Sequence, residues 1–392
     1  MDQSIVNKFK FDWSGLDEFI YDLNLTNYVG RSNKFTYVEL PEFVPKYGIK
    51  NNQLLFPEKY VEPHNYESIV KDFTKCNWIG AAYHLVTLSH ENRNFKDSIL
   101  SKSEKTLPNE IFEKALVNRY LLFIRDLAAF KNGNEELMGV TAKPKIILTH
   151  DIDAIKATLS LKVRQYFQNR SWPEISLGTS LDLIKEIVDL EKKAEAKSIF
   201  FVSGNKRLNT LPIFDPKYQQ KELSNSIDYI YENGFDLGLH PGIFSSFSYR
   251  LLKSELNKLK TLKVGQEFKI RNHWLSNFGN KTWQNYSRLG FSSDYSIGFN
   301  DRPGMRNSSL ISFSPFKNLE LIPMIVMDGQ FFNYKNTDQG DIIKSIEPYI
   351  NEIQNVGGIA SINFHQRFFH SYYDYKSVYE NLLEYLNEKD LL

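Results

Sequence analysis

Histidines and aspartates in this sequence occur repeatedly at the ends of short apolar runs that are typical of strands. The residues that follow such a run directly or within a few positions are His150 in IILTHDID, His240 in FDLGLHPG, His273 in FKIRNHW, Asp294 in FSSDYS, Asp328 in IVMDGQ and His365 in SINFHQR. In parallel α/β folds the loops at the carboxyl ends of the strands converge on the functional site. The pattern therefore predicts one shared polar pocket.

The segment THDID has the most specific spacing. Asp151 and Asp153 are two residues apart at a predicted strand end, so both carboxylates face the same side if the chain stays extended. One could hold a metal ion while the other takes a proton from water. Alternatively, one acid caps the following helix and the other is solvated.

A spacing of two recurs at two other predicted strand ends. Arg271 and His273 share a face, so the guanidinium could orient a carboxylate beside an imidazole. His365 precedes Arg367, and a histidine at such a position is suited to donate a proton near neutral pH. His240 lies where the chain turns sharply, and a ligand role and a structural hydrogen bond both fit that place.

The sequence after Pro144 provides elements that could position these side chains. Apolar runs alternate with amphipathic segments, which predicts parallel strands with crossover helices in a barrel or an open doubly wound sheet. Strands are predicted over 146–148, 198–202, 235–239, 267–270, 292–297, 319–326 and 359–364, and helices over 181–197, 223–232, 249–262, 283–289, 342–356 and 375–387. No GxGxxG or GxxxxGK[ST] motif opens a helix, which disfavours nucleotide binding.

The first third of the chain has a less regular pattern. A length of 392 residues favours two domains or one large barrel with an extension. We expect an N-terminal domain over 1–130, with helices over 78–88 and 111–130, a polar linker over 131–144, and an α/β domain over 145–392.

Composition excludes several classes of function. The 48 basic and 47 acidic residues leave a net charge of +1, which gives no long-range field for nucleic acid or anionic lipid. The single cysteine, Cys76, excludes an internal disulfide framework and a cysteine-based zinc site. No uncharged stretch approaches the roughly 20 residues that span a bilayer, and no signal-like run follows the first lysines. We therefore expect a soluble, cytoplasmic protein.

Taken together, these segments resemble the polysaccharide deacetylases, the NodB-like enzymes of carbohydrate esterase family four, and within them the bacterial subgroup with a THDxD motif and an extra N-terminal domain. The matching motifs, in the family's order, are THDID (149–153), GLHPG (238–242), RNHWL (271–275), DYSIGFNDRPGMR (294–306), LIPMIVMDG (321–329) and NFHQR (363–367). The resemblance implies an α/β fold, a distorted (β/α) barrel with a smaller N-terminal α+β domain. It also implies removal of an N-acetyl group from an amino sugar with the help of a divalent metal, commonly zinc.

The resemblance also implies roles for individual residues. Asp151 corresponds to the catalytic base and Asp153 to the metal-binding acid. His240 corresponds to the second-motif histidine, a metal ligand, Arg271 to the arginine that steadies the base, and His365 to the general acid.

The second motif departs from the family's usual H-x-x-x-H pattern. Phe244 stands four residues after His240, where a second imidazole ligand is expected. We expect His273 or, alternatively, His150 to complete an Asp-His-His set. The competing interpretation is that the metal site has decayed or binds weakly.

Four further residues are predicted to contact the substrate: Arg306, Asp328, Trp274 and Asp294. Arg306 could hold a sugar or its phosphate carrier, and Asp328 could either orient the general acid or bind a hydroxyl group. A surface or structural ion pair is the alternative for Arg306 and Asp328.

Three hypotheses for function follow. The first is a metal-dependent hydrolase that deacetylates an N-acetylated sugar, a sugar precursor or a polysaccharide. The second is a barrel that binds carbohydrate without catalysis or metal. The third is a glycoside hydrolase with paired acids, which the close spacing of Asp151 and Asp153 disfavours.

Overall fold

The first segment of the chain contains a small sheet and short helices. The computed structural model describes residues 23, 25–63, 69–91, 95–152, 180–203, 220–261, 267–332, 339–369 and 375–392. The elements of the first segment are β1 (Phe35–Glu39), β2 (Gln53–Pro57), β3 (Ile69–Val70), α1 (Trp78–Val86), α2 (Phe95–Leu100), α3 (Glu110–Glu113) and α4 (Leu116–Lys131). The predicted helix over 111–130 is two helices, because the chain is extended at Lys114. The strands β1 to β3 were not predicted.

Seven parallel strands close into a barrel in the described part of the chain. They are β4 (Lys145–Ile152), β5 (Ile199–Val202), β6 (Asp236–Leu239), β7 (Phe268–Ile270), β8 (Phe291–Ile297), β10 (Leu319–Met327) and β11 (Ile359–Asn363); β9 (Phe313–Phe316) is antiparallel to β10. Around the barrel the order is β4, β5, β6, β7, β8, β10 and β11, and β11 pairs with both β10 and β4. The closing pairs confirm the predicted (β/α) barrel and exclude an open sheet.

Helices surround the barrel and cover its outer face. They are α5 (Ser180–Lys193), α6 (Gln220–Glu232), α7 (Tyr249–Lys260), α8 (Asn280–Leu289), α9 (Gly329–Phe332), α10 (Gln339–Val356) and α11 (Lys376–Glu388). All four residues of β5 are buried because both faces of a parallel strand are covered. All seven predicted barrel strands, the five helices predicted between them and the helix predicted after the last strand are present, which confirms the alternating pattern.

The first segment and the barrel share one core. A continuous cluster of buried hydrophobic residues extends from Leu23 to Leu391. A buried ion pair also joins the two parts, since Arg119 Nε and Nη2 of α4 bind the carboxylate of Glu352 in α10 at 2.9 and 2.8 Å. The domain boundary over 131–144 stays a prediction.

Candidate active site

The predicted base, Asp151, lies at the carboxyl end of β4 and is held by two side chains from other strands. Arg271, which follows β7, donates from Nη1 to Asp151 Oδ1 at 3.1 Å. Asn363, the last residue of β11, donates from Nδ2 to Asp151 Oδ2 at 2.9 Å. Arg271 Nη1 also bonds to Thr149 Oγ1 at 2.7 Å and to Asn363 Oδ1 at 2.8 Å. Both carboxylate oxygens are therefore fixed in direction.

The charge around Asp151 keeps its carboxylate ionised. Burial by itself would raise its pKa, but the positive charge of Arg271, with contributions from His240 and His365, lowers the pKa to about 2. Asp151 is 2% exposed, so these charges act on it with little screening by solvent. The side chain is deprotonated at neutral pH.

The predicted acid, His365, is paired with Asp328. His365 Nδ1 donates to Asp328 Oδ1 at 2.6 Å, and the N–H of His365 donates to Asp328 Oδ2 at 2.5 Å. Burial opposes protonation of the imidazole, but the Asp328 and Asp151 carboxylates raise the pKa of His365 above its ordinary value. Of the two roles predicted for Asp328, the contact supports orientation of the acid rather than binding of a substrate hydroxyl.

Two further predicted ligands, His240 and His273, lie side by side near the Arg271 backbone. Their ring centroids are 5.1 Å apart. His240 Nδ1 donates to the carbonyl oxygen of Arg271 at 2.7 Å, which directs the lone pair to Nε2. Two imidazoles that share one tetrahedral zinc ion have ring centroids about 5 Å apart, so this pair has a suitable separation.

The third predicted ligand, Asp153, lies outside the described residues. Among the residues that the structure does describe, no group of three or more His, Cys, Asp or Glu side chains could hold a metal ion. Histidine nitrogens and a carboxylate form an ordinary donor set for zinc. His240 and His273 therefore fit a metal site that Asp153 would complete. The metal stays a prediction.

The alternative third ligand, His150, is placed elsewhere, which corrects that expectation. Neighbouring residues in a strand face opposite sides, and His150 faces the helices while Asp151 faces the site. His150 Nε2 contacts Glu191 Oε1 at 2.7 Å, and its Nδ1 contacts the carbonyl oxygen of Phe364 at 2.7 Å. The side chain is fully buried.

The loop after β6 carries Phe244 at the position where a second histidine ligand was expected, and a buried carboxylate holds this loop. Phe244 lies in a short 3-10 turn, Ile243–Ser246. The buried carboxylate of Glu255 accepts hydrogen bonds from the Gly242 N–H at 3.0 Å and from the Ser245 hydroxyl at 2.7 Å. This loop is therefore held by α7.

The loop that carries His273 has an unusual backbone. Trp274 and Leu275 both have positive φ, 59° and 51°. Such conformations cost about 1 kcal/mol or more in residues other than glycine, so the surrounding structure must hold them. The indole of Trp274 is partly exposed beside the His273 ring, with centroids 6.3 Å apart. That position is compatible with the predicted contact between Trp274 and a substrate.

Two of the predicted substrate contacts are buried in structural positions. Asp294 is fully buried and accepts the Ser296 N–H at 2.8 Å. The next residue, Tyr295, packs against the Arg271 guanidinium, so Asp294 faces the helix layer instead. Arg306 binds Glu91 through Nε and Nη2 at 3.0 and 3.1 Å. These placements argue against substrate contacts and favour the ion-pair alternative for Arg306.

Sequence reasoning missed Thr149 and Asn363 as partners of Arg271 and Asp151. A signal was present, because Thr149 is two residues before Asp151 and Asn363 is two residues before His365. The same alternation that paired Arg271 with His273 places both missed residues on the site face of their strands.

Three solved structures align with about two thirds of the chain at low sequence identity. A protein from Mycobacterium smegmatis, assigned as a polysaccharide deacetylase, is 14% identical with a TM-score of 0.40, and the match covers 64% of this chain and 93% of that one. A CE4 family pseudoenzyme mutant with restored enzymatic activity is 11% identical with a TM-score of 0.34, covering 64% and 65%. The wild-type CE4 pseudoenzyme from Bacillus anthracis is 11% identical with a TM-score of 0.33, covering 64% and 63%.

No family model matches the sequence, and no curated protein matches it. The subgroup with THDxD and an extra N-terminal domain stays a prediction. Within the described ranges, no helix is long and apolar enough to cross a membrane.

Proposed function

We propose that this protein is a metal-dependent hydrolase that removes the N-acetyl group from an amino sugar in a polysaccharide or its precursor. The observation that carries the proposal is the arrangement of an ionised Asp151 and a His365 with raised pKa at one end of the barrel, 3.9 Å apart. Two neighbouring groups of opposite protonation state are the requirement for acid–base hydrolysis of an amide.

Asp151 is the base in this proposal. It removes a proton from water as the water oxygen attacks the acetyl carbonyl carbon. Arg271 and Asn363 hold the two carboxylate oxygens, so Asp151 presents its remaining lone pairs in a fixed direction. This preorganisation avoids a rearrangement of the base during the reaction.

His365 is the acid. As the C–N bond breaks, Nε2 gives its proton to the amine nitrogen, and acetate and the free amino sugar leave. Asp328 holds Nδ1 at 2.6 Å and stabilises the protonated ring before the transfer. The protonated Asp151 then releases its proton to solvent, and the neutral His365 ring is reprotonated from solvent.

His240, His273 and Asp153 would hold the metal. A divalent ion bound there would polarise the acetyl carbonyl and lower the pKa of a water molecule beside it. The partly exposed Trp274 next to His273 offers an aromatic face to a sugar ring.

The second candidate is a barrel that binds carbohydrate without catalysis. Phe244, in the place of the family's second-motif histidine, favours it. Zinc content after loading and dialysis separates the two candidates, since a binding module would retain no zinc yet still bind N-acetylated oligosaccharides.

The direct test is release of acetate and free amine from N-acetylated sugar nucleotides, lipid-linked sugars and oligosaccharides. We expect the zinc-loaded protein to release both products. We expect release to stop with a chelator and to fall by orders of magnitude in Asp151→Asn. Turnover that persists in the chelator would contradict the metal-dependent mechanism.

A further inference from the structure

Both polar groups of the peptide unit that joins Phe364 to His365 are hydrogen-bonded. The carbonyl oxygen of Phe364 accepts a hydrogen bond from His150 Nδ1 at 2.7 Å. The N–H of His365 donates to Asp328 Oδ2 at 2.5 Å. These two polar groups belong to the same planar peptide. Because both of its ends are bound, the peptide cannot pivot, and the direction in which His365 projects is fixed.

His150 is itself oriented by two buried groups. Its Nε2 contacts Glu191 Oε1 of α5 at 2.7 Å, and the same oxygen accepts the Tyr379 hydroxyl of α11 at 2.5 Å. His150 and Glu191 are 0% exposed and Tyr379 is 1% exposed. Since the Phe364 carbonyl can only accept, Nδ1 carries a proton and the ring has one orientation.

An apolar side chain could fill the space around the His150 ring with a lower desolvation cost. The ring lies in an aromatic setting, 4.9 Å from Phe200 and 6.2 Å from Phe369 between ring centroids. Burial of an imidazole and a carboxylate there carries a desolvation cost that aromatic or aliphatic side chains would avoid. The polar cluster instead fixes orientation, because its hydrogen bonds hold the His150 ring and, through it, the peptide between Phe364 and His365.

We propose that His150, oriented by Glu191 and Tyr379, is a positioning residue that sets the place of His365 relative to Asp151. This inference rests on the proposed function, because it concerns the acid of that reaction. His150 acts through the Phe364 peptide, on the side of β4 opposite to the site. Loss of its hydrogen bond frees one end of that peptide and lets the acid move away from the scissile bond.

The test compares His150→Phe, His150→Asn and Tyr379→Phe with a control, Tyr120→Phe, that removes another buried hydroxyl, bonded to Leu55 in the first segment. We expect His150→Phe to lower kcat for amine release by the zinc-loaded chain about 10- to 100-fold, as loss of an outer hydrogen-bond partner does, with KM nearly unchanged. The amide of His150→Asn can place a donor near the Nδ1 position and should restore much of that loss.

Tyr379→Phe keeps the aromatic ring of residue 379 and removes only its hydroxyl, so it should lower kcat about threefold or more. The control Tyr120→Phe should leave kcat and KM unchanged. An unchanged kcat in folded His150→Phe, or no rescue by His150→Asn, would overturn the inference. If His150→Phe does not fold, Tyr379→Phe decides: an unchanged kcat there overturns the inference.

Hydrogen–deuterium exchange separates this inference from the proposed function. If the wild-type chain releases no amine, the proposed function fails, but exchange over 359–369 still tests the anchored peptide. Faster exchange confined to that segment in His150→Phe supports the inference. Exchange equal to that of the wild type there overturns it.

Discussion

The Nε2 atom of His365 lies 3.9 Å from Oδ2 of Asp151, although the two residues are more than two hundred positions apart in the chain. They meet because β11 and β4, the last and first strands of the barrel, pair side by side. The distance is too long for a direct hydrogen bond, so both groups can act on a molecule that lies beside them. Asp151 is ionised at neutral pH, while the neighbouring carboxylates raise the pKa of His365 above its ordinary value.

Replacing Asp151 tests the base. Asp151→Asn keeps the size of the side chain and removes the proton acceptor, so we expect kcat to fall about 10²- to 10⁴-fold. The measurement is acetate release by zinc-loaded protein, with zinc content determined on the same sample. Retained zinc with lost turnover is the expected outcome, whereas near-normal turnover would remove Asp151 from the base role.

Replacing Asp153 tests the metal. We expect Asp153→Ala to reduce bound zinc to trace amounts while the circular dichroism spectrum is unchanged. Without the Asp153 carboxylate, the predicted ligand set keeps only the imidazoles of His240 and His273. His273→Ala should lose zinc as well. If Asp153→Ala keeps zinc and Asp151→Asn loses it, the roles of the two aspartates are exchanged.

The pH dependence of turnover tests the acid. The raised pKa of His365 keeps the ring protonated above its ordinary value of 6.5, so the alkaline limb of kcat should lie above pH 6.5. Asp328→Asn removes the largest stabilising charge, so the limb should move to lower pH and kcat should fall. The stability that the protonated His365 ring contributes to the folded state also decreases with rising pH. This contribution is complete below pH 6.5 and is lost as the pH rises through the raised pKa. An unmoved limb in Asp328→Asn would contradict the assignment.

Asp294 should make the protein less stable at neutral pH than in weak acid. Burial raises its pKa to about 6 from 3.8, so the folded state binds the proton more tightly and the free energy of unfolding falls as the pH rises between those values. Asp294→Asn keeps the acceptor for Ser296 N–H, and we expect it to raise the free energy of unfolding near neutral pH by up to about 3 kcal/mol.

Urea unfolding near pH 4 and pH 7.5 measures this effect. The gain from Asp294→Asn should largely disappear near pH 4, and the exposed Asp228→Asn serves as the control. An equal gain at both pH values would show that the buried charge is not its cause.

The Arg306–Glu91 pair tests the structural role of Arg306. Glu91→Gln leaves a buried guanidinium without its carboxylate, so we expect the free energy of unfolding to fall by about 3 kcal/mol with KM unchanged. Urea unfolding and steady-state kinetics on one preparation give both quantities. A raised KM with unchanged stability would return Arg306 to the substrate site.

The sequence by itself determined the barrel elements and the strand ends that carry the site. Periods of two and 3.6 residues are local properties, so the alternation of β4 to β11 with helices could be read from neighbouring residues. The short β1, β3 and β9 lack such a clear pattern. The same local spacing placed Asp151 and Arg271 on faces that could meet.

Only the tertiary structure decided which side of each strand faces the site and which side chains touch. Alternation says that His150 and Asp151 face opposite ways, but packing against α5 and α11 decides that His150 is the one turned outward. The contact of Asp328 with His365 likewise depends on the pairing of β10 with β11. Contacts between strands require register and barrel closure, which depend on residues far apart in the chain, so no local pattern can specify them.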